Sequence, residues 1–173
     1  MTIRPLLRWP DPRLGRPALP VTAFDAALRE LAADLLETMR AAPGIGITGP
    51  HVGVLQRVVV LELAPIDMPD GGPRTYVNPV IVWRADATIR HQEGSIAMPG
   101  VAAEIERAAA VRVTFQDLDG AERTEEAEGL RAVCHQHEID QLDGVFWIER
   151  LSRLKREMVV KRWGKLRRVA DRR

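Results

Sequence analysis

Leu130-Arg131-Ala132-Val133-Cys134-His135-Gln136-His137-Glu138-Ile139-Asp140-Gln141-Leu142 reads as the central helix of the chain, and the other elements are placed around it. The pattern predicts a helix from about Glu125 to Leu142, stopped by Gly144. Leu130, Val133, Cys134, His137 and Gln141 share its inner side, whereas His135 points away from that face. In the H-E-x-x-H pattern two imidazoles one turn apart grip a single metal ion, and the adjacent glutamate moves protons. Here the fifth position is Gln141, a neutral amide. Read alone, His137-Glu138 is no more than a buried, hydrogen-bonded pair.

Working outward, Pro5, Pro10, Pro12, Pro17 and Pro20 keep the N-terminal arm extended. A first helix starts near Thr22 to Asp25, with Leu28, Leu31, Ala32, Leu35, Leu36 and Met39 at helical spacing, and Pro43-Gly44 ends it. Gly44 to Gly53 reads as a Gly/Pro-rich loop, Val54 to Leu63 as a strand, and Pro65 to Pro73 as a turn-rich connection. Strands are predicted over Arg74–Val82, Ala85–His91 and Ala110–Asp117, with Asp119-Gly120 as a turn. Ser152 caps a predicted third helix through Lys165. Strands in a block between helices make an α+β pattern, not a βα repeat.

At 173 residues the chain suits one core, expected over residues 1–150, with a basic helix over 151–173 packed on it or extending from it. Its 46% hydrophobic and 28% charged residues are those of a soluble globular protein. No apolar run spans a bilayer, and Met1 to Pro10 lacks an apolar signal core, so a cytoplasmic protein without membrane contact is expected. A single cysteine, Cys134, excludes a disulfide framework and a cysteine-rich zinc site, and reads as a core thiol. The net charge of +1 hides a basic tail. Trp9, Trp83, Trp147 and Trp163 show no stacking pattern, so no sequence-specific nucleic-acid binding is expected.

Two further segments make the reading specific: Gly44-Ile45-Gly46-Ile47-Thr48-Gly49-Pro50-His51 and Glu93-Gly94-Ser95-Ile96-Ala97. With His137-Glu138-Ile139-Asp140-Gln141 they resemble, in order and spacing, the three signature motifs of peptide deformylases, G-x-G-x-A-A-x-Q, E-G-C-L-S and H-E-x-D-H. The resemblance extends through Trp9-Pro10-Asp11-Pro12, Tyr76-Val77-Asn78-Pro79 and Leu142-Asp143-Gly144, covering nearly the whole chain. It implies a deformylase-like α+β fold with the motif-bearing helix packed against antiparallel or mixed sheets. It also implies removal of the formyl group from formyl-methionine at the N-terminus of new proteins, through Fe(II) or Zn(II) held by one Cys and two His.

Carried over position by position, the resemblance makes His137 the retained metal ligand and Glu138 the acid/base. Gly44, Ile45, Gly46, Glu93, Gly94, Ile96 and Arg107 become the substrate-binding positions. Ser95 stands where the ligand cysteine belongs, Gln141 where the second histidine belongs, and His51 where the oxyanion glutamine belongs. Ala102 stands where many members carry a substrate-contacting arginine. A hydroxyl and an amide are weak donors beside a thiolate and an imidazole, so the expected metal content is none or weak, and deformylase turnover little or none.

Three other readings use the same residues. One is a low-activity or altered amidase on a relocated metal site built from His51, His137 and a carboxylate, Glu138 or Glu93. Another is a metal-free hydrolase with Ser95 as nucleophile, although no G-x-S-x-G elbow surrounds it. The third is a binding protein that retains the cleft for a formyl-methionyl or nascent peptide. It would touch the ribosome through Lys155, Arg156, Lys161, Arg162, Lys165, Arg167 and Arg168.

Overall fold

The computed structural model describes residues 2–68 and 71–170. Part of the predicted Pro65–Pro73 connection, and the last three residues of the basic tail, lie outside these. After an extended arm broken by a 3-10 turn at Pro12–Gly15 comes α1 (Ala26–Ala41), whose first turn is capped by the Asp25 carboxylate accepting the Leu28 N–H at 3.1 Å. Seven strands follow: β1 (Gly46–Thr48), β2 (Val58–Leu61), β3 (Arg74–Arg84), β4 (Thr88–Glu93), β5 (Ala103–Ala108), β6 (Ala110–Gln116) and β7 (Glu122–Glu128). The chain then enters α2 (Gly129–Leu142) and, past a 3-10 turn at Trp147–Arg150, α3 (Arg153–Ala170).

The strands form a five-stranded sheet ordered β1-β2-β3-β6-β7 and a separate β4-β5 ribbon, and every pairing between these strands is antiparallel. α1 lays Leu28, Leu31, Leu35 and Met39 against Ile47, Val58, Val60 and Val77. α2 sits against the other side of the core, where Ala132, Cys134, Ile139 and Leu142 meet Leu61, Tyr76, Val111, Val113 and Phe115. Each fully buried aliphatic side chain in these layers stabilises the fold by about 1.5–3 kcal/mol before entropy is counted. α3 closes a third cluster, with Val159 and Trp163 against Leu14, Met98 and Trp147, and Trp163 Nε1 donates to the Trp9 carbonyl at 3.1 Å.

Four expectations need correction. Gly44–Gly53 is not loop throughout: β1 and a 3-10 turn at Gly49–Val52 lie inside it, held because β1 pairs with β2. Glu125–Glu128 belongs to β7, not to the helix, since its backbone pairs with β6, and the helix begins only at Gly129, whose φ of +55° marks the turn between them. The Val54–Leu63 strand narrows to Val58–Leu61, because the Gln56 N–H folds back onto the Val54 carbonyl. β5 lies outside the strands predicted from the sequence; its Arg107 points inward, an interruption of apolar alternation that ion pairs compensate.

Candidate functional site

The edge of β1, the end of β4 with the turn after it, and α2 enclose a cavity of about 470 Å³. Its lining brings together Gly44, Ile45, Gly46, His51, Glu93, Gly94, Ser95, Ile96, His137 and Glu138 from the three motif segments. Two expected positions are absent from the lining, Gln141 and Arg107. The Gln141 amide is buried and donates to the Leu14 carbonyl at 2.7 Å, so it ties the N-terminal arm to the helix. Arg107 is spent internally, gripping both Glu93 oxygens at 2.7 and 2.8 Å and Asp140 at 2.6 Å. Asp140 is also held by Arg150 at 2.8 Å. Leu130, Val133, Cys134 and Val101 add apolar walls. The first three were legible as the inner side of the helix, whereas Val101 carries no sequence signal for its place.

His51 is completely enclosed, and its ring is oriented by Thr48. The Thr48 backbone N–H donates to Nδ1 at 3.0 Å, and the Thr48 hydroxyl lies 2.9 Å from the same nitrogen. Burial, reinforced by nearby His137, holds the His51 pKa down to about 3, so the ring is neutral. With Nδ1 accepting, the proton sits on Nε2, which faces Ser95 Oγ at 3.5 Å. His51 is therefore a hydrogen-bond donor towards the cavity. It has no lone pair there to take a proton from Ser95, and none to give a metal ion. Ser95 Oγ also accepts the Ala97 N–H at 3.1 Å, a contact that anchors the turn.

His137 Nδ1 lies 2.8 Å from Glu93 Oε2. Burial works against its charged form, but the Glu93 hydrogen bond and the charges of Glu138 and Glu93 raise its pKa overall. Burial likewise opposes ionisation of Glu93, yet Arg107 and His137 hold that carboxyl down to about 2. Next to them Glu138 is pushed up to about 7, above all by burial, and its Oε2 has no hydrogen-bond partner. Its other oxygen lies so close to β1 that a Cβ on Gly46 would collide with it. Cys134 lines the cavity as a buried thiol whose pKa burial drives well up, which keeps it protonated.

As a donor set for iron or zinc these side chains do not fit. One imidazole remains, beside a hydroxyl already bonded to a backbone N–H and an amide turned to Leu14. Among the described residues no three His, Cys, Asp or Glu side chains are grouped to hold a metal ion, and this includes the relocated set with His51.

A family model described as polypeptide deformylase matches residues 3–157. The chain belongs to the peptide deformylase family. It is 62% identical over 168 residues to a protein named peptide deformylase-like of Brucella suis, covering 97% of this chain and 100% of that one. The same organism has a protein named peptide deformylase that is 44% identical over 166 residues, with 96% and 94% covered. The crystal structure of a peptide deformylase from Legionella pneumophila superposes with a TM-score of 0.91 at 35% identity, with 99% of each chain covered. The fold is thus the deformylase α+β fold. Among the described residues no helix is long and apolar enough to cross a membrane.

Proposed function

We propose that this deformylase-family chain keeps the family's peptide cleft but has little or no deformylase turnover, and acts in the cytoplasm as a binder of peptide N-termini. The observation that carries the reading is the occupation of the two substituted positions: Ser95 Oγ by Ala97, and the Gln141 amide by Leu14. Losing even the outer support of a metal ligand costs about 10–100-fold in affinity, and two direct donors cost more. The pairing of two family members in Brucella suis supports it, because the chain is closer to the one named peptide deformylase-like. β1, at the edge of its sheet, offers its free side to an extended peptide by strand addition.

The test is hydrolysis of formyl-methionyl peptides with added Fe(II), Co(II), Ni(II) or Zn(II), comparing wild type with Ser95→Cys plus Gln141→His. Only the double variant should gain metal and activity. Wild-type turnover of ~1 s⁻¹ or more, a rate typical of enzymes, overturns the reading.

A contact with ribosomal RNA is the second reading, favoured by the outer face of α3. Lys155, Lys161, Arg162, Lys165, Arg167 and Arg168 are exposed there. Arg156 leaves the set, because it turns inward to the carbonyls of Ile148 and Glu149, both at 3.0 Å. Charge reversal at Lys161, Arg162 and Lys165 should abolish co-sedimentation with ribosomes at low salt. Unchanged sedimentation removes this reading.

A further inference from the structure

A second cavity, of about 540 Å³, shares no lining residue with the motif cleft. It lies on the sheet side of α2, where strand alternation turns Arg74 of β3 and Arg123 and Glu125 of β7 to the same face as Tyr76 and Ala127. Phe115 of β6 stands opposite Arg123 in the register and lines the same space. Arg131, from the first turn of α2, brings a third guanidinium. The carboxylates here are already held. Asp117 pairs with Arg123 at 3.0 Å, and Glu126 with Arg112 at 2.6 Å. Glu125 pairs with Arg74 at 2.5 Å, accepts the Tyr76 hydroxyl at 3.3 Å and lies 3.0 Å from His135 Nε2. Arg131 is the group left short. Among the described residues its guanidinium makes one hydrogen bond, from Nη2 to the Glu126 carbonyl at 2.9 Å. Its Nε is enclosed without a hydrogen-bond partner, 3.7 Å from the Glu125 carboxylate. An enclosed donor left unbonded is costly, and the first turn of a helix is the wrong end for a cation.

We propose that this second cavity binds a small organic carboxylate with an apolar body, and that Arg131 is the residue that grips it. A guanidinium presents its N–H groups as a planar fork that matches the two oxygens of a carboxylate, and Arg131 has most of that fork unused. A single negative charge fits better than two. Glu125 and Asp117 line the same space, so a phosphate dianion would meet their repulsion as well as the attraction of the arginines. Phe115 supplies an apolar wall for the body of the ligand, and the volume is that of an ordinary small-molecule site.

The experiment is an NMR titration of the isotope-labelled chain, at constant ionic strength, with phenylacetate, its neutral counterpart phenylacetamide, and phenyl phosphate. Phenylacetate should shift the amide signals of Thr75, Arg123 and Arg131 saturably, leave those of Gly46 and Ser95 in place, and bind at least about 10-fold more tightly than phenylacetamide. Arg131→Met should abolish the saturable shifts. Arg131→Lys, which keeps the charge but not the fork, should weaken binding without abolishing it, with both folds verified by thermal melting. Equal binding of phenylacetamide, tighter binding of phenyl phosphate, or phenylacetate binding unchanged in Arg131→Met overturns the proposal. So do shifts confined to the motif cleft, or no saturable shift at all.

Discussion

The central helix holds two histidines two residues apart, each bonded to a glutamate, and their surroundings end differently. His135 Nε2 lies 3.0 Å from Glu125, on the sheet side of α2. There Tyr76 donates its hydroxyl to the same carboxylate at 3.3 Å, Arg74 pairs with it, and Arg131 stands 3.7 Å away. The Tyr76 ring packs edge-on against Phe115 and His135, with centroids 4.6 and 4.7 Å away. His137, on the cleft side, has an equally well-answered glutamate in Glu93. What differs is the next residue, Glu138, whose Oε2 has no hydrogen-bond partner among the described residues. A buried histidine–glutamate pair marks no site by itself; the leftover acceptor does.

The strongest way to break this comparison is to cut the cleft-side network at its centre. Arg107→Met leaves Glu93 and Asp140 with buried charge to share among fewer partners, and should destabilise the chain by about 3–5 kcal/mol in urea unfolding. A loss under about 1 kcal/mol would show that the network is not holding the ribbon to the helix.

On the sheet side, Glu125→Gln should cost about 1–3 kcal/mol at neutral pH, by weakening charge-assisted bonds. It should also change the acid response. Burial opposes ionisation of Glu125, but His135, Arg74 and Arg131 hold it at about 2, below its ordinary 4.5. The folded form therefore binds fewer protons than the unfolded one. Its stabilisation is complete above about pH 4.5 and is lost as pH falls towards 2. Wild-type stability measured across that window should fall more steeply than that of Glu125→Gln; parallel curves would remove Glu125 from the account.

Glu138→Gln sharpens the contrast by its sign. The folded pKa of about 7 lies above the ordinary 4.5, so the carboxylate's penalty grows as pH rises through that interval. At pH 8 and without ligand, the substitution should stabilise the chain by about 1 kcal/mol. Destabilisation there would mean that Glu138 is answered within the protein. The smallest effect belongs to a residue of neither region: Trp83→Thr, on an exposed stretch of β3, should shift stability by no more than about 0.5 kcal/mol, read from the same unfolding curves.

Much of this arrangement could be read from residue order. The cap at Asp25, the apolar spacing of α1 and the three motif segments all follow from local chemistry, and the cavity joins those segments. Residue order misleads where partners far along the chain overrule local preference. Glu125–Glu128 has helix-favouring composition, yet β6 pairs with it and makes it strand. β5 hides because its inward Arg107 looks like a surface residue until Glu93 and Asp140 are beside it. Gln141 shares a helix face with His137, but its amide reaches Leu14, a partner that no spacing rule within the helix supplies.

That last bond spans 127 residues, and the Trp163-to-Trp9 bond spans 154. In a chain made from its N-terminus, Leu14 and Trp9 emerge long before the groups that hold them. The arm, which donates the Leu7 N–H to the His51 carbonyl and the Trp9 N–H to the Ala97 carbonyl, reaches its complete set of contacts only after α2 and α3 exist. The arm is thus fastened only by groups made more than a hundred residues after it, and closure of the fold reports that α2 and α3 have emerged.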